Sequence, residues 1–179
     1  MPVDEFLVKS HLPIIKDWPK PGVNFRDITP LFCNPRAARH ITDELVLRYM
    51  DSDITHIAAL EARGFLLGSN LAYALNKPLV LIRKAGKLPG KVDHQDYTCE
   101  YSDDRLELKK GSFKSGDRVL IVDDVLATGQ TLYAAAQLVH KQGASISEIA
   151  TIVDLSSLGG REHLTDSDLP TFSLLILDD

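Results

Sequence analysis

Two adjacent carboxylates, Asp123 and Asp124, stand directly after the apolar run Val119-Leu120-Ile121-Val122 and shortly before Ala127-Thr128-Gly129-Gln130-Thr131. Carboxylates accept hydrogen bonds from sugar hydroxyls. A turn of small and hydroxylated residues that leads into a helix offers backbone N–H groups and hydroxyls to an anion such as phosphate. Side by side, the two halves describe a site for a phosphorylated sugar. A strand followed by Asp-Asp alone is more often an ordinary turn with capped or solvated carboxylates. Thr128, Gly129 and Thr131 in that order favour the ligand. No Gly-x-x-x-x-Gly-Lys-Ser/Thr and no Gly-x-Gly-x-x-Gly occurs in the chain, so nucleoside triphosphate and dinucleotide readings lose their main support.

This chemistry needs elements that place it. The β-branched run 119–122 has the character of a strand buried on both faces, which puts the aspartates at its carboxyl end, where open α/β sheets hold ligands. Further strands are expected over residues 54–60, 78–82, 147–155 and 172–177, with a short one over 105–108. Helices are expected over 65–75 and 132–142, the latter stopped by Gly143. Another starts at Asn34, a good N-cap with Pro35 in the first helical position, and carries Ala37, Ile41 and Leu45 on one face. Residues 11–32 hold four prolines and a glycine and are expected to form an irregular arm. Residues 83–104 are polar and glycine-containing, which suggests a long mobile loop.

Strands alternating with helices imply an α/β fold: a mainly parallel central sheet with helices on both faces. The strand ends then bring Glu61-Ala62-Arg63-Gly64, Arg83-Lys84, Asp123-Asp124 and Asp154-Leu155 to one rim. A guanidinium at Arg63 suits bidentate contact with phosphate oxygens, against the plainer reading of a surface ion pair.

With 179 residues, 44% hydrophobic and 25% charged, the chain fits a single domain over residues 1–179. The formal charge of −5 argues against non-specific binding to nucleic acid or an anionic membrane. Cys33 and Cys99 match no metal-ligand spacing and suggest no disulfide framework. The start MPVDEFLVKS lacks the pattern of a secretory signal, and no apolar run approaches the roughly 18 residues of a membrane span. A cytoplasmic location is expected.

The segment from Val119 to Thr131 resembles the phosphoribosyl-pyrophosphate (PRPP) motif of the type I phosphoribosyltransferases. WPKPGVNFRDITPLF, LIRKAGKLPGKV, the pair Glu100-Tyr101 and VDLSSLGGREHL resemble the adenine-specific branch of that family, so the likeness runs from about Trp18 to Leu164. It implies the type I phosphoribosyltransferase fold, with an N-terminal hood (mainly 11–33) and a flexible catalytic loop (about 83–104). The implied reaction is adenine plus PRPP giving AMP and pyrophosphate with Mg²⁺, in a purine-salvage homodimer whose Arg83 region reaches toward the neighbour's site.

By residue, the resemblance assigns Asp123, Asp124, Ala127, Thr128, Gly129, Gln130 and Thr131 to the ribose phosphate. Ala62, Arg63, Arg83, Lys84 and Lys87 go to pyrophosphate. The hood residues make physical sense for a purine: Phe25 offers a stacking face, Asn24 and Arg26 offer backbone donors and acceptors, and Leu155 closes the opposite face. Glu100 is the candidate general base, with Arg63 beside the leaving group and Tyr101 in the same loop. The Mg²⁺ is expected to bind through PRPP, with no dedicated protein ligand. Two positions depart from the family pattern, Gln130 and Ser102, both commonly glycine; the Gln130 side chain is expected to point away from the phosphate. The alternatives are a 6-oxopurine phosphoribosyltransferase and a non-catalytic PRPP-sensing regulator.

Overall fold

The protein is described by a computed structural model covering residues 3–99 and 102–178. Its centre is a sheet of seven strands among the described residues. In chain order, the elements that build and cover it are α3 (Pro35–Tyr49), β3 (His56–Leu60), α4 (Gly64–Leu75), β4 (Leu79–Lys84), β5 (Val92–Cys99) and β6 (Ser102–Lys109). They continue with β7 (Arg118–Leu126), α5 (Gln130–Lys141), β8 (Ser145–Leu155), α6 (Gly160–Thr165) and β9 (Thr171–Leu177). The spatial order is β5-β6-β4-β3-β7-β8-β9. The five strands from β4 to β9 run parallel, and β6 and β5 extend that sheet antiparallel.

Why the central strands read as unbroken apolar runs follows from the two cores. Leu120 and Val122 pack with Ile41 and Leu45 of α3 and Leu67 and Leu71 of α4. Val119 and Ile121, on the opposite face, pack with Leu132, Ala135 and Leu138 of α5. Both faces of β7 are therefore dry, as expected for a parallel strand between helical layers. α3 begins as its sequence indicates, the Asn34 side chain accepting from the N–H groups of Arg36 and Ala37 at 3.0 and 3.1 Å. α5 ends at Gly143 (φ 84°). There Gly143 N–H donates to His140 and Ala144 N–H to Val139, a glycine-terminated C-cap.

Three expectations change. The strand predicted to stop before the aspartates continues through them to Leu126. β8 is long enough to pair with Asp123, Val125 and Leu126, whereas pairing with β3 ends at Val122. The aspartates therefore lie on a strand still held on one side and open on the other. The arm is more ordered than its prolines suggest: α1 (Glu5–Lys9), β1 (Ile14–Lys16), β2 (Asn24–Arg26) and α2 (Thr29–Cys33) precede α3, with β1 and β2 paired antiparallel.

The segment 83–104, read as a loop, instead holds the end of β4, all of β5 and the start of β6, the last two paired antiparallel. Ladder bonds are made by backbone, so a polar sequence does not forbid them, and edge strands tolerate charge. Register supplies the rest. Asp96 lies directly opposite Arg105, and the guanidinium meets the carboxylate at 2.6 and 3.1 Å, an opposite-charge cross-strand pair. Leu106 and Leu108 of β6 turn into the core.

Candidate active site

The site forms where β3 stops and β7 goes on. The chain leaves β3 at Leu60, turns through Glu61-Ala62-Arg63 and enters α4 at Gly64; the Glu61–Ala62 peptide is cis. A Cβ on Gly64 would lie 2.9 Å from both Asp123 Oδ1 and the Val122 carbonyl oxygen. Only glycine lets this turn stand so close to the aspartates. Arg63 consequently reaches across the gap, its Nε 2.8 Å from Asp124 Oδ2. Its guanidinium carbon lies 5.0 Å from the Phe25 ring centroid, within cation–π range.

The two aspartates differ. Asp124 is 4% exposed and has the Arg63 cation against it. Burial and the neighbouring Asp124 charge push the Asp123 carboxyl well above its ordinary 3.8, although Asp123 accepts the Asp124 N–H. The stabilising contribution of such a group is full below 3.8 and is lost as pH rises through its folded value. Asp123→Asn is therefore expected to raise Tm near neutral pH, by about 1 kcal/mol of stability, with the gain disappearing in acid below 3.8. The same change is expected to lower kcat/KM for a sugar-phosphate substrate. Thermal melts across pH beside steady-state kinetics check this; a lower Tm at neutral pH would contradict it.

Beyond Leu126 the chain turns through Ala127, Thr128 and Gly129 into α5. Gly129 is the N-cap in the left-handed region (φ 80°), and no side chain caps the helix. A helix N-terminus of this kind favours an anion, through its first N–H groups and the helix dipole. Gly160 backs this turn so closely that a Cβ on it would collide with the Ala127 carbonyl.

The hood closes the other end. Trp18 packs edge-on against Phe25, ring centroids 4.3 Å apart. The Arg26 guanidinium donates to the Leu12 carbonyl at 2.9 Å, so its side chain braces the hood. Between hood and sheet lies a cleft of about 410 Å³. Asn24, Phe25, Arg26 and Leu155 line one part, Asp123 and Asp124 another, and Ala127, Thr128, Gly129 and Thr131 a third, with Arg63 and Lys84 beside them.

Four residues expected at the site do not line this cleft: Ala62, Arg83, Lys87 and Gln130. Arg83 is drawn away by Glu61, whose carboxylate it meets at 3.1 and 3.2 Å, and by the Lys87 carbonyl. Lys87 Nζ stands 3.9 Å from Glu61. Gln130 opens α5 beside the cleft-lining Gly129 and Thr131. Glu100 and Tyr101 lie outside the described residues.

Residues the sequence left without a role also appear. Glu61 lines the cleft, accepts the Lys84 N–H at 3.0 Å and gathers the cations around it. Burial, the largest single influence, pushes its carboxyl up, but the Arg83 guanidinium, the Lys84 backbone N–H and the Lys87 charge together hold it below the usual carboxylate range. Its placement in the turn before Arg63 was legible, but its partners, 22 to 26 positions away, were not. Tyr97 lines the cleft from β5 and donates to Asp104 at 3.3 Å; reading its segment as a loop hid it. Leu158 joins Leu155 on the hood side.

Comparison with known proteins agrees with this geometry. Residues 31–174 match the family described as Phosphoribosyl transferase domain. The chain is 54% identical over 175 residues to the adenine phosphoribosyltransferase of Marinomonas sp. (strain MWYL1), covering 98% of this chain and 97% of that protein. Among solved structures, the Giardia lamblia APRTase complexed with 9-deazaadenine superposes with a TM-score of 0.93 at 33% identity, covering 100% of this chain and 99% of that one. The Saccharomyces cerevisiae adenine phosphoribosyltransferase, complexed with an imino-altritol bisphosphate and adenine, gives 0.86 at 37% identity over 94% and 96%.

Proposed function

The chain belongs to the phosphoribosyl transferase family, and from that membership we propose that it transfers the 5-phosphoribosyl group of PRPP to adenine, giving AMP and pyrophosphate in purine salvage. The observation that carries this reading is one cleft lined by three chemistries. It offers an aromatic and apolar slot at Phe25 and Leu155, carboxylates at Asp123 and Asp124, and an anion cradle at Ala127–Thr131. The three suit base, ribose and 5′-phosphate. The relative from Marinomonas carries the name of this activity.

The difficult step is breaking the ribose C1–oxygen bond as positive charge develops on the sugar. Asp123 and Asp124 hold the ribose hydroxyls and fix C1 beneath the incoming nitrogen. Thr128, Gly129 and Thr131, with Ala127 and Gln130 as backbone neighbours, anchor the 5′-phosphate. Adenine stacks on Phe25, opposite Leu155, its edge met by backbone groups of Asn24 and Arg26. Glu100 accepts the proton that the base loses as the nitrogen–C1 bond forms, and pyrophosphate departs with the electron pair of the broken bond. Arg63 and Lys84 stabilise that departing charge. Ala62 completes the pyrophosphate side with Arg83 and Lys87, once the diphosphate replaces Glu61 as the partner of those two cations. Tyr101 belongs to the same closing segment, which excludes water from a hydrolysable donor.

Mg²⁺ fits the donor set. Magnesium is usually held by one or two carboxylates together with substrate phosphates, and Asp123 and Asp124 line the cleft. When bound through PRPP, it neutralises charge on the diphosphate. The chain acts as one domain in the cytoplasm. No helix among the described residues is long and apolar enough to cross a membrane. A homodimer would cover apolar side chains that α4 and β4 leave exposed, among them Tyr73 at 91% and Leu66 at 48%.

A base-panel assay tests the reading. With PRPP and Mg²⁺, pyrophosphate release is expected with adenine, and little with guanine, hypoxanthine or xanthine, whose 6-oxo group presents an acceptor where adenine presents a donor. Failure with adenine alongside turnover of a 6-oxopurine would reassign the enzyme.

A further inference from the structure

Asp154 is fully buried at the end of β8. A carboxylate there must be paired, and its partner comes from seven residues on: Arg161 Nε lies 2.6 Å from Asp154 Oδ2. The same guanidinium donates to the Thr171 carbonyl at 3.2 Å and to Ser173 Oγ at 3.3 Å. Arg161 thus pins α6 to the ends of both β8 and β9, although it does not itself line the cleft.

The segment it pins touches both halves of the site. Leu155 and Leu158, between Asp154 and Arg161, form the hood-side wall. Gly160, the residue before Arg161, is seated against the Ala127 carbonyl, and its carbonyl oxygen would meet a Cβ on Gly129 at 2.9 Å. Moving α6 therefore moves the wall beside the base and the backing of the phosphate turn together. Resting on the functional reading above, we infer that Arg161 is a positioning residue that sets the distance between the base slot and the ribose-phosphate cradle.

The test compares Arg161→Met with Arg48→Met. The second variant removes a similar pair, Arg48–Glu148 at 2.8 Å, from the opposite half of β8, away from the cleft. At a temperature where both are folded, Arg161→Met is expected to raise KM for adenine and for PRPP together, by about tenfold or more. A displacement near 1 Å from remote residues costs up to about 100-fold. kcat at saturation should change much less. Arg161→Lys, which keeps the charge but loses the fork, should fall between. Arg48→Met should lower Tm and leave both KM values native.

If Arg161→Met fails to fold, Asp154→Leu/Arg161→Met removes both charges together and avoids a lone buried carboxylate; the same joint rise in KM is expected. Native KM values in either folded variant, or a rise for one substrate alone, overturn the inference. An unaltered protein that consumes no PRPP with adenine overturns the functional reading first, which separates the two failures.

Discussion

Replacing Glu100 with alanine is expected to lower kcat by about 10²- to 10⁴-fold, the usual worth of a positioned general base, with little change in KM for either substrate. The reasoning is chemical. Adenine is a poor nucleophile until a ring nitrogen sheds its proton, and the carboxylates of the cleft are otherwise engaged. Asp124 faces Arg63, Asp123 has its carboxyl held toward the neutral form, and Glu61 gathers Arg83 and Lys84. Glu100 is the remaining carboxylate that the family resemblance places at the reacting nitrogen. Glu100→Gln keeps the shape and removes the basicity, so it should be nearly as slow as alanine. Single-turnover and steady-state measurements separate the chemical step from product release. Near-normal turnover in either variant removes the proton-transfer role.

Arg63→Ala is expected to cut kcat/KM for PRPP by about 10²- to 10³-fold, comparable to deleting one preorganised donor at a developing charge, with adenine binding less affected. Arg63 lines the cleft beside Lys84. Its Nε meets Asp124 at 2.8 Å, and its guanidinium lies 5.0 Å from the Phe25 centroid. It thus touches the groups read as holding the ribose and the base. A departing diphosphate would draw it from Asp124. Arg63→Lys is expected to recover little, because a point charge supplies neither the planar fork nor the stacking. Unaltered PRPP kinetics in the alanine variant would contradict the role.

Much of the site was legible because it is local. The strand, the aspartates and the small-residue turn lie within thirteen consecutive residues, Val119 to Thr131, and their order is their function. The helix start at Asn34 and the helix end at Gly143 were legible for the same reason: a cap is made within a few residues of itself. The hairpin over β5 and β6 was not, because its stability lies in cross-strand register, as between Asp96 and Arg105, which a period-two search for apolar residues does not detect. Tyr97 was lost with it.

By itself the sequence determined the fold class, since hydrophobic periodicity needs no distant partner, and it offered Asp123 to Thr131 and, through the family resemblance, Phe25 as candidates for one site. Only the tertiary structure decided which cations face the cleft. Lys84 lines it, whereas Arg83 turns back onto Glu61. It also decided that Asp154 and Arg161 brace the wall from behind. Those outcomes depend on which buried carboxylate lies nearest each cation, and burial and distance arise only when the strands are laid side by side.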